Sequence, residues 1–218
     1  MLFAPSHGLL ARRRHVANRT AMVLGLAAFA APAIPQSAAP AALPTYNIEV
    51  IVFRNNSGAS GGEDWTARTP VRGGDAGAGA PTVGRFVASI PAAQYQLAEL
   101  KARLAASSTL QPIAHFAWQQ TPSSWGSRAG FQVQRLAGSS VPGLSGMIYL
   151  ERGQFLHLGM TLNYSPANPP GGLGASSGTT FNISEIRRIK FFERNYYDHP
   201  AFGVIALVTP ANRPTGGR

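Results

Sequence analysis

Three groups of residues in this sequence carry side chains able to do chemistry. Asp198-His199-Pro200 sets a carboxylate beside an imidazole, the pair a general acid–base catalyst needs. Arg187-Arg188 offers adjacent guanidinium groups, which suit bidentate contact with carboxylates and phosphates. Glu49 and His115 each stand alone inside strongly apolar runs. Each group also has a structural reading. Asp-His-Pro is what a tight turn requires, because aspartate bonds nearby backbone N–H groups and proline fixes the chain. No serine or threonine stands beside it as a nucleophile. His115 has no second histidine at metal-ligand spacing, so it reads as a packed or hydrogen-bonded histidine. The nine acidic residues are dispersed, and a carboxylate pair would have to be assembled by folding from Glu49, Glu151, Glu185, Glu193 and Asp198. No phosphate-cradling glycine loop, zinc motif or nucleophile elbow occurs, so neither metal nor cofactor is expected.

The elements that must position these groups are mostly strand-like. Tyr46–Arg54, YNIEVIVFR, is apolar on both faces and belongs in the centre of a sheet. Glu49 then lies at a buried position and needs a partner, for which an arginine across the sheet is expected. Pro91–Ser107 reads as a long amphipathic helix, opened by proline and striped by Ala93, Leu97, Leu100 and Leu104. Leu110–Gln119 returns as a strand, and Phe131–Leu136 is a short one. Ser145–Leu150 and Gln154–Tyr164, joined across Glu151-Arg152-Gly153, form a hairpin. Its core-facing set is Ile148, Leu150, Leu156, Leu158, Met160, Leu162 and Tyr164. A last hairpin pairs Ile186–Tyr196 with Phe202–Thr209. The order predicts an α+β fold: a mainly antiparallel sheet with one long helix packed on one face, a ferredoxin-like core with extra strands.

The chain has 218 residues. Arg12, Arg13, Arg14 and Arg19 precede a short apolar run ending in small residues, the pattern of a secretory signal peptide over 1–33, with cleavage as late as 41. The run is too short for a comfortable membrane span, so the mature chain is expected to have no transmembrane anchor. Residues 34–44 are expected to form a flexible tether, 45–210 a single domain and 211–218 a disordered tail. Removing four of the 19 basic residues and no acid leaves 15 against nine, a charge of +6. Export with no cysteine excludes disulfide staples, thiolate metal sites and a thiol nucleophile. It also removes nucleic acid as a natural partner. The remaining anions are stem-peptide carboxylates, lipid headgroups and lipopolysaccharide. Trp65, in the Gly/Ala-rich loop 55–82, and Trp125 are candidates for stacking on sugar rings.

Seven pieces in order carry a resemblance across Tyr46 to Pro210. They include Tyr46-x-Ile48-Glu49-Val50-Ile51-Val52-Phe53-Arg54, Ala114-His115-x-x-Trp118-Gln119, Phe155-Leu156-His157, Arg187-Arg188 and Tyr197-Asp198-His199-Pro200-x-Phe202-Gly203-Val204. This pattern resembles the CsiV family of periplasmic peptidoglycan-binding proteins. The resemblance implies a non-enzymatic accessory protein of the Gram-negative cell envelope. Its expected partners are peptidoglycan and a lipoprotein-activated penicillin-binding synthase or its lipoprotein activator. Glu49, His115, Trp118, Arg187, Arg188, Tyr197, Asp198 and His199 become structural or binding candidates, with no catalytic residue assigned. Two rival classes stand beside it. One is a cell-wall hydrolase or transferase using Asp198, His199 and a glutamate. The other is a module that docks only on proteins, by a sheet edge.

Overall fold

The strand Tyr46–Asn55 (β1) organises the fold, because both of its faces bury apolar side chains. The computed structural model describes residues 44–57, 84–138 and 141–211, all within the unit Ala41–Arg218. The predicted signal peptide, most of the tether, the loop carrying Trp65 and residues 212–218 lie outside the described residues. After β1 come Phe86–Ser89 (β2), Ala98–Ala105 (α1), Leu110–Gln120 (β3), Ser123–Ser124 (β4), Phe131–Gln132 (β5) and Val133–Ala137 (α2). Leu144–Arg152 (β6), Leu156–Tyr164 (β7), Phe181–Arg188 (β8), Arg194–His199 (β9) and Phe202–Pro210 (β10) complete the chain.

The strands form two sheets, not one. The first has the order β2-β3-β1-β10-β9 and is antiparallel throughout. The second has the order β4-β6-β7-β8, with β5 pairing β6. Side chains from both sheets meet in one core, where Ile48, Val50, Trp118 and Val204 of the first lie with Leu150, Leu158, Met160 and Leu162 of the second. The whole core-facing set expected of the β6–β7 hairpin is buried. Tyr197 stitches the layers, its hydroxyl donating to the Leu158 carbonyl at 2.8 Å.

The α+β, ferredoxin-like expectation is therefore overturned. The described residues are mostly strand, and their longest helix, α1, has eight residues. The predicted helix over 91–107 breaks into a 3-10 turn at Ala92–Gln94 and α1, because the chain is extended at Tyr95. Leu97 and Leu104 still cover the outer face of the first sheet, against Ile51, Phe53 and Leu207. The strand predicted over Phe131–Leu136 is strand for two residues and then turns helical. Gly138, at φ 71°, ends that helix in the left-handed conformation glycine tolerates best.

The run Ile186–Tyr196 is not one strand either. It breaks at 189–193, and its halves join different sheets: β8 pairs β7, whereas β9 pairs β10. Phe192 makes the crossing with φ 64°, a left-handed conformation uncommon for a bulky side chain. Its N–H donates to the Val208 carbonyl at 3.1 Å, which anchors the turn.

Candidate functional site

The Asp-His-Pro turn separates its two chemical groups. Period-2 alternation along β9 puts Asp198 on the outer face and His199 in the core. Asp198 accepts from the Tyr196 hydroxyl at 2.8 Å. His199 accepts the Ala201 N–H on Nδ1 at 3.0 Å, which leaves its proton on Nε2, and its ring packs between Phe181 and Phe202. Burial first, then the hydrogen bond and charge of Asp198, pushes the Tyr196 phenol up to about 12. Stability from that neutral phenol is present below the ordinary value of about 10 and is lost as pH rises from there through the raised value. Asp198→Ala is expected to change unfolding free energy by no more than about 0.5 kcal/mol and to move the Tyr196 titration down toward 10. His199→Ala is expected to cost about 2 kcal/mol or more, because it opens the core and orphans the Ala201 N–H. Urea unfolding and ultraviolet phenolate titration check both.

Glu49 is buried, but its partner is not an arginine. Its carboxylate accepts the backbone N–H groups of Gln96 (2.7 Å) and Leu97 (2.8 Å) and faces His115 Nε2 at 2.7 Å. The β1–β3 register pairs Ile51 with His115, which leaves Glu49 and His115 as diagonal neighbours on the outer face. Tyr95 packs on the His115 ring at 4.5 Å. The carboxylate thus receives the start of α1, where it also opposes the helix dipole. Beside it lies a polar cavity of about 150 Å³ lined by Asn47, Gln94, Gln96, Gln119 and Thr209.

The remaining candidates divide between core and surface. Trp118 and Tyr197 are fully buried, Trp118 donating its indole N–H to Gln120 Oε1 at 2.6 Å. Burial raises the Tyr197 phenol above its ordinary value. Arg187 pairs with Glu185 at 2.6 Å and lies over the Tyr197 ring at 5.2 Å, closing the edge of the sandwich. Arg188, one residue on, faces the opposite way and covers the ring of Phe155 at 3.4 Å.

Arg188 and Phe155 open onto the most chemically distinctive surface among the described residues. A groove of about 290 Å³ runs between the β6–β7 hairpin tip and the β8–β9 turn, lined by Arg152, Phe155, Arg188, Lys190 and Phe191. Trp125 flanks it, its ring tilted against that of His157 at 4.0 Å, and the β7–β8 register sets His157 opposite Arg188. Trp125 remains 48% exposed, Phe155 39% and Phe191 41%, so three part-exposed aromatic side chains stand beside three cations. Arg152 hydrogen-bonds the Tyr46 hydroxyl, and Phe191 stacks on the Tyr46 ring at 5.5 Å.

A buried acid holds this surface in shape. Glu151 is fully enclosed, and its carboxylate accepts the N–H groups of Gly126 (3.0 Å) and Arg128 (2.5 Å). The turn bearing Trp125 is thereby folded around one carboxylate. Trp125 also donates its own N–H to the Arg152 carbonyl at 3.1 Å. Gly153 lets the tryptophan approach, since a Cβ there would stand 3.1 Å from Trp125 Cβ. Arg128 lies over both Trp125 and Tyr149, at 5.6 and 5.4 Å. Burial pushes the Tyr149 phenol up, opposed by the Arg128 charge.

Sequence reasoning singled out Trp125 and Arg188 but missed Arg152, Lys190 and Phe191 as their neighbours. The available signal was Lys190-Phe191-Phe192, one base beside two aromatics with no apolar partner face, hidden by reading 186–196 as continuous strand. No cluster of three or more histidines and acids that could hold a metal occurs among the described residues. No described helix is long and apolar enough to cross a membrane.

The architecture is a two-sheet β protein with a surface groove lined by part-exposed aromatic and cationic side chains. The chain belongs to the CsiV family: the family model described as peptidoglycan-binding protein, CsiV, matches residues 21–211. No curated protein and no solved structure matches it.

Proposed function

We propose that the protein binds peptidoglycan at the groove between the hairpin tip and the β8–β9 turn. The observation that carries this reading is the fixing of half-exposed Trp125 and Phe155 against His157 and Arg188. Aromatic faces held rigid lose little entropy when a flat sugar ring stacks on them. Arg152, Arg188 and Lys190 bring cations to the same groove, where stem-peptide carboxylates receive charge-assisted hydrogen bonds. Binding by such exposed charges weakens as salt screens them over about 8 Å at physiological ionic strength.

The protein acts in the periplasm as a non-enzymatic accessory of cell-wall assembly, exported by a signal peptide over 1–33. It supports a lipoprotein-activated penicillin-binding synthase, and the site residues work by binding. The opposed directions of Asp198 and His199 speak for this reading over the acid–base pair. Co-sedimentation with purified sacculi tests it. The protein is expected in the pellet at low salt, with less retained at high salt and the muropeptide profile unchanged. Protein left wholly in the supernatant at low salt contradicts the reading.

A further inference from the structure

Far from that groove, the other end of β1 holds a cation, Arg54, that forms no ion pair among the described residues. Arg54 lies eight residues along the strand from Tyr46, roughly 27 Å away at strand rise. It lines a cavity of about 450 Å³ together with Gly143, Tyr164, Ser165, Asn168 and Ser177. Among the described residues no acid lines this cavity, and none of their ion pairs includes Arg54. Its Nε is buried without a hydrogen-bond partner. A buried donor on a permanent cation is costly to leave unmatched, and native proteins rarely do so without a ligand or ion to supply the acceptor.

The cavity wall is built rather than incidental. Gly143 adopts φ 75°, and a Cβ there would stand 2.4 Å from the Ser165 carbonyl. Ser165 donates its N–H to the Gly143 carbonyl at 2.7 Å, and its hydroxyl meets that of Thr180 at 2.7 Å. Two loops are thereby locked side by side around Arg54. Burial raises the Tyr164 phenol, while the charge of Arg54 and its hydrogen bond to the phenol draw it back, so the ring presents a neutral hydroxyl to the same space. Among the described residues the cavity thus combines one guanidinium with hydroxyl and amide donors and no competing carboxylate, the chemistry of a carboxylate receptor.

We propose that this cavity is a second, separate subsite that takes the free C-terminal carboxylate of a peptidoglycan stem peptide on Arg54. This rests on the reading of the protein as a peptidoglycan binder and adds that it reads peptide as well as sugar. The full chain is titrated calorimetrically with diacetyl-lysyl-D-alanyl-D-alanine, with the same peptide as its C-terminal amide, and with peptide-free glycan strands. The acid is expected to bind about tenfold to a hundredfold more tightly than the amide, the range of one charge-assisted hydrogen-bond set. Arg54→Gln is expected to erase that preference, with an unchanged melting transition reporting that it folds. Equal binding of acid and amide by the unaltered chain overturns the inference, and this arm needs no variant. Inorganic phosphate competing as strongly as the acid also overturns it, in favour of a general anion site. If the glycan strands bind while the peptide acid does not, the subsite fails and the groove reading stands. If neither binds, both fail.

Discussion

Glu151→Ala is expected to lower the unfolding free energy by about 3 kcal/mol and to abolish retention on sacculi. The side chain has no access to solvent, and its removal leaves the Gly126 and Arg128 N–H groups without acceptors. Each orphaned buried donor costs about 1–3 kcal/mol, part of which the turn recovers by opening to water. That opening releases Trp125 from His157 and takes away the groove's flank. Arg128→Ala is a contrast, because its ion pair with Glu151 is 3.4 Å long and the arginine is part-exposed. It is expected to cost less than about 1 kcal/mol. Glu151→Gln lies between, since it keeps one acceptor and turns an amide donor toward the second N–H. Urea unfolding and sacculus sedimentation measure the series. An alanine variant as stable as the parent would mean that Glu151 does not organise the turn.

Glu49→Ala is expected to cost a similar amount, about 3 kcal/mol, without directly touching the groove. The lost carboxylate leaves the Gln96 and Leu97 N–H groups and the buried His115 unmatched. The start of α1 then frays, and Leu97 and Leu104 loosen from Ile51 and Leu207. Sacculus binding per folded molecule is expected to be retained, which separates this variant from Glu151→Ala. Urea unfolding and sedimentation at a temperature well below the transition check the pair of outcomes. A loss of binding with unchanged stability would place Glu49 in a ligand site instead of a structural one.

Much of the strand content was readable, because alternation is a local signal. β1 showed two apolar faces and does occupy the middle of its sheet, and the β6–β7 hairpin declared its core face residue by residue. The number of sheets was not local. A strand buried on both faces is compatible with a helix layer on one side or a second sheet, and here it has a second sheet on one face and only a two-turn helix on the other. The sheet switch at 189–193 carried no glycine or proline to announce it, since a phenylalanine takes the left-handed position. That concealed turn is what brings Lys190 and Phe191 to Arg188 and Phe155. Glu49 illustrates the same limit in electrostatics. Sequence showed that a buried carboxylate needs donors, but the β1–β3 register and the break at Tyr95 decided that His115 and two backbone N–H groups supply them.

We propose the Trp125–Phe155–Arg188 surface as the site where peptidoglycan binds. The most direct test is sedimentation with purified sacculi at low salt, comparing the unaltered chain with Trp125→Ala/Phe155→Ala/Arg188→Ala. These side chains are part-exposed, so the triple variant is expected to stay folded, as its melting transition will report. Loss of all three anchors is expected to weaken binding about a hundredfold or more, leaving the variant in the supernatant. A folded triple variant that pellets as fully as the parent would contradict the assignment.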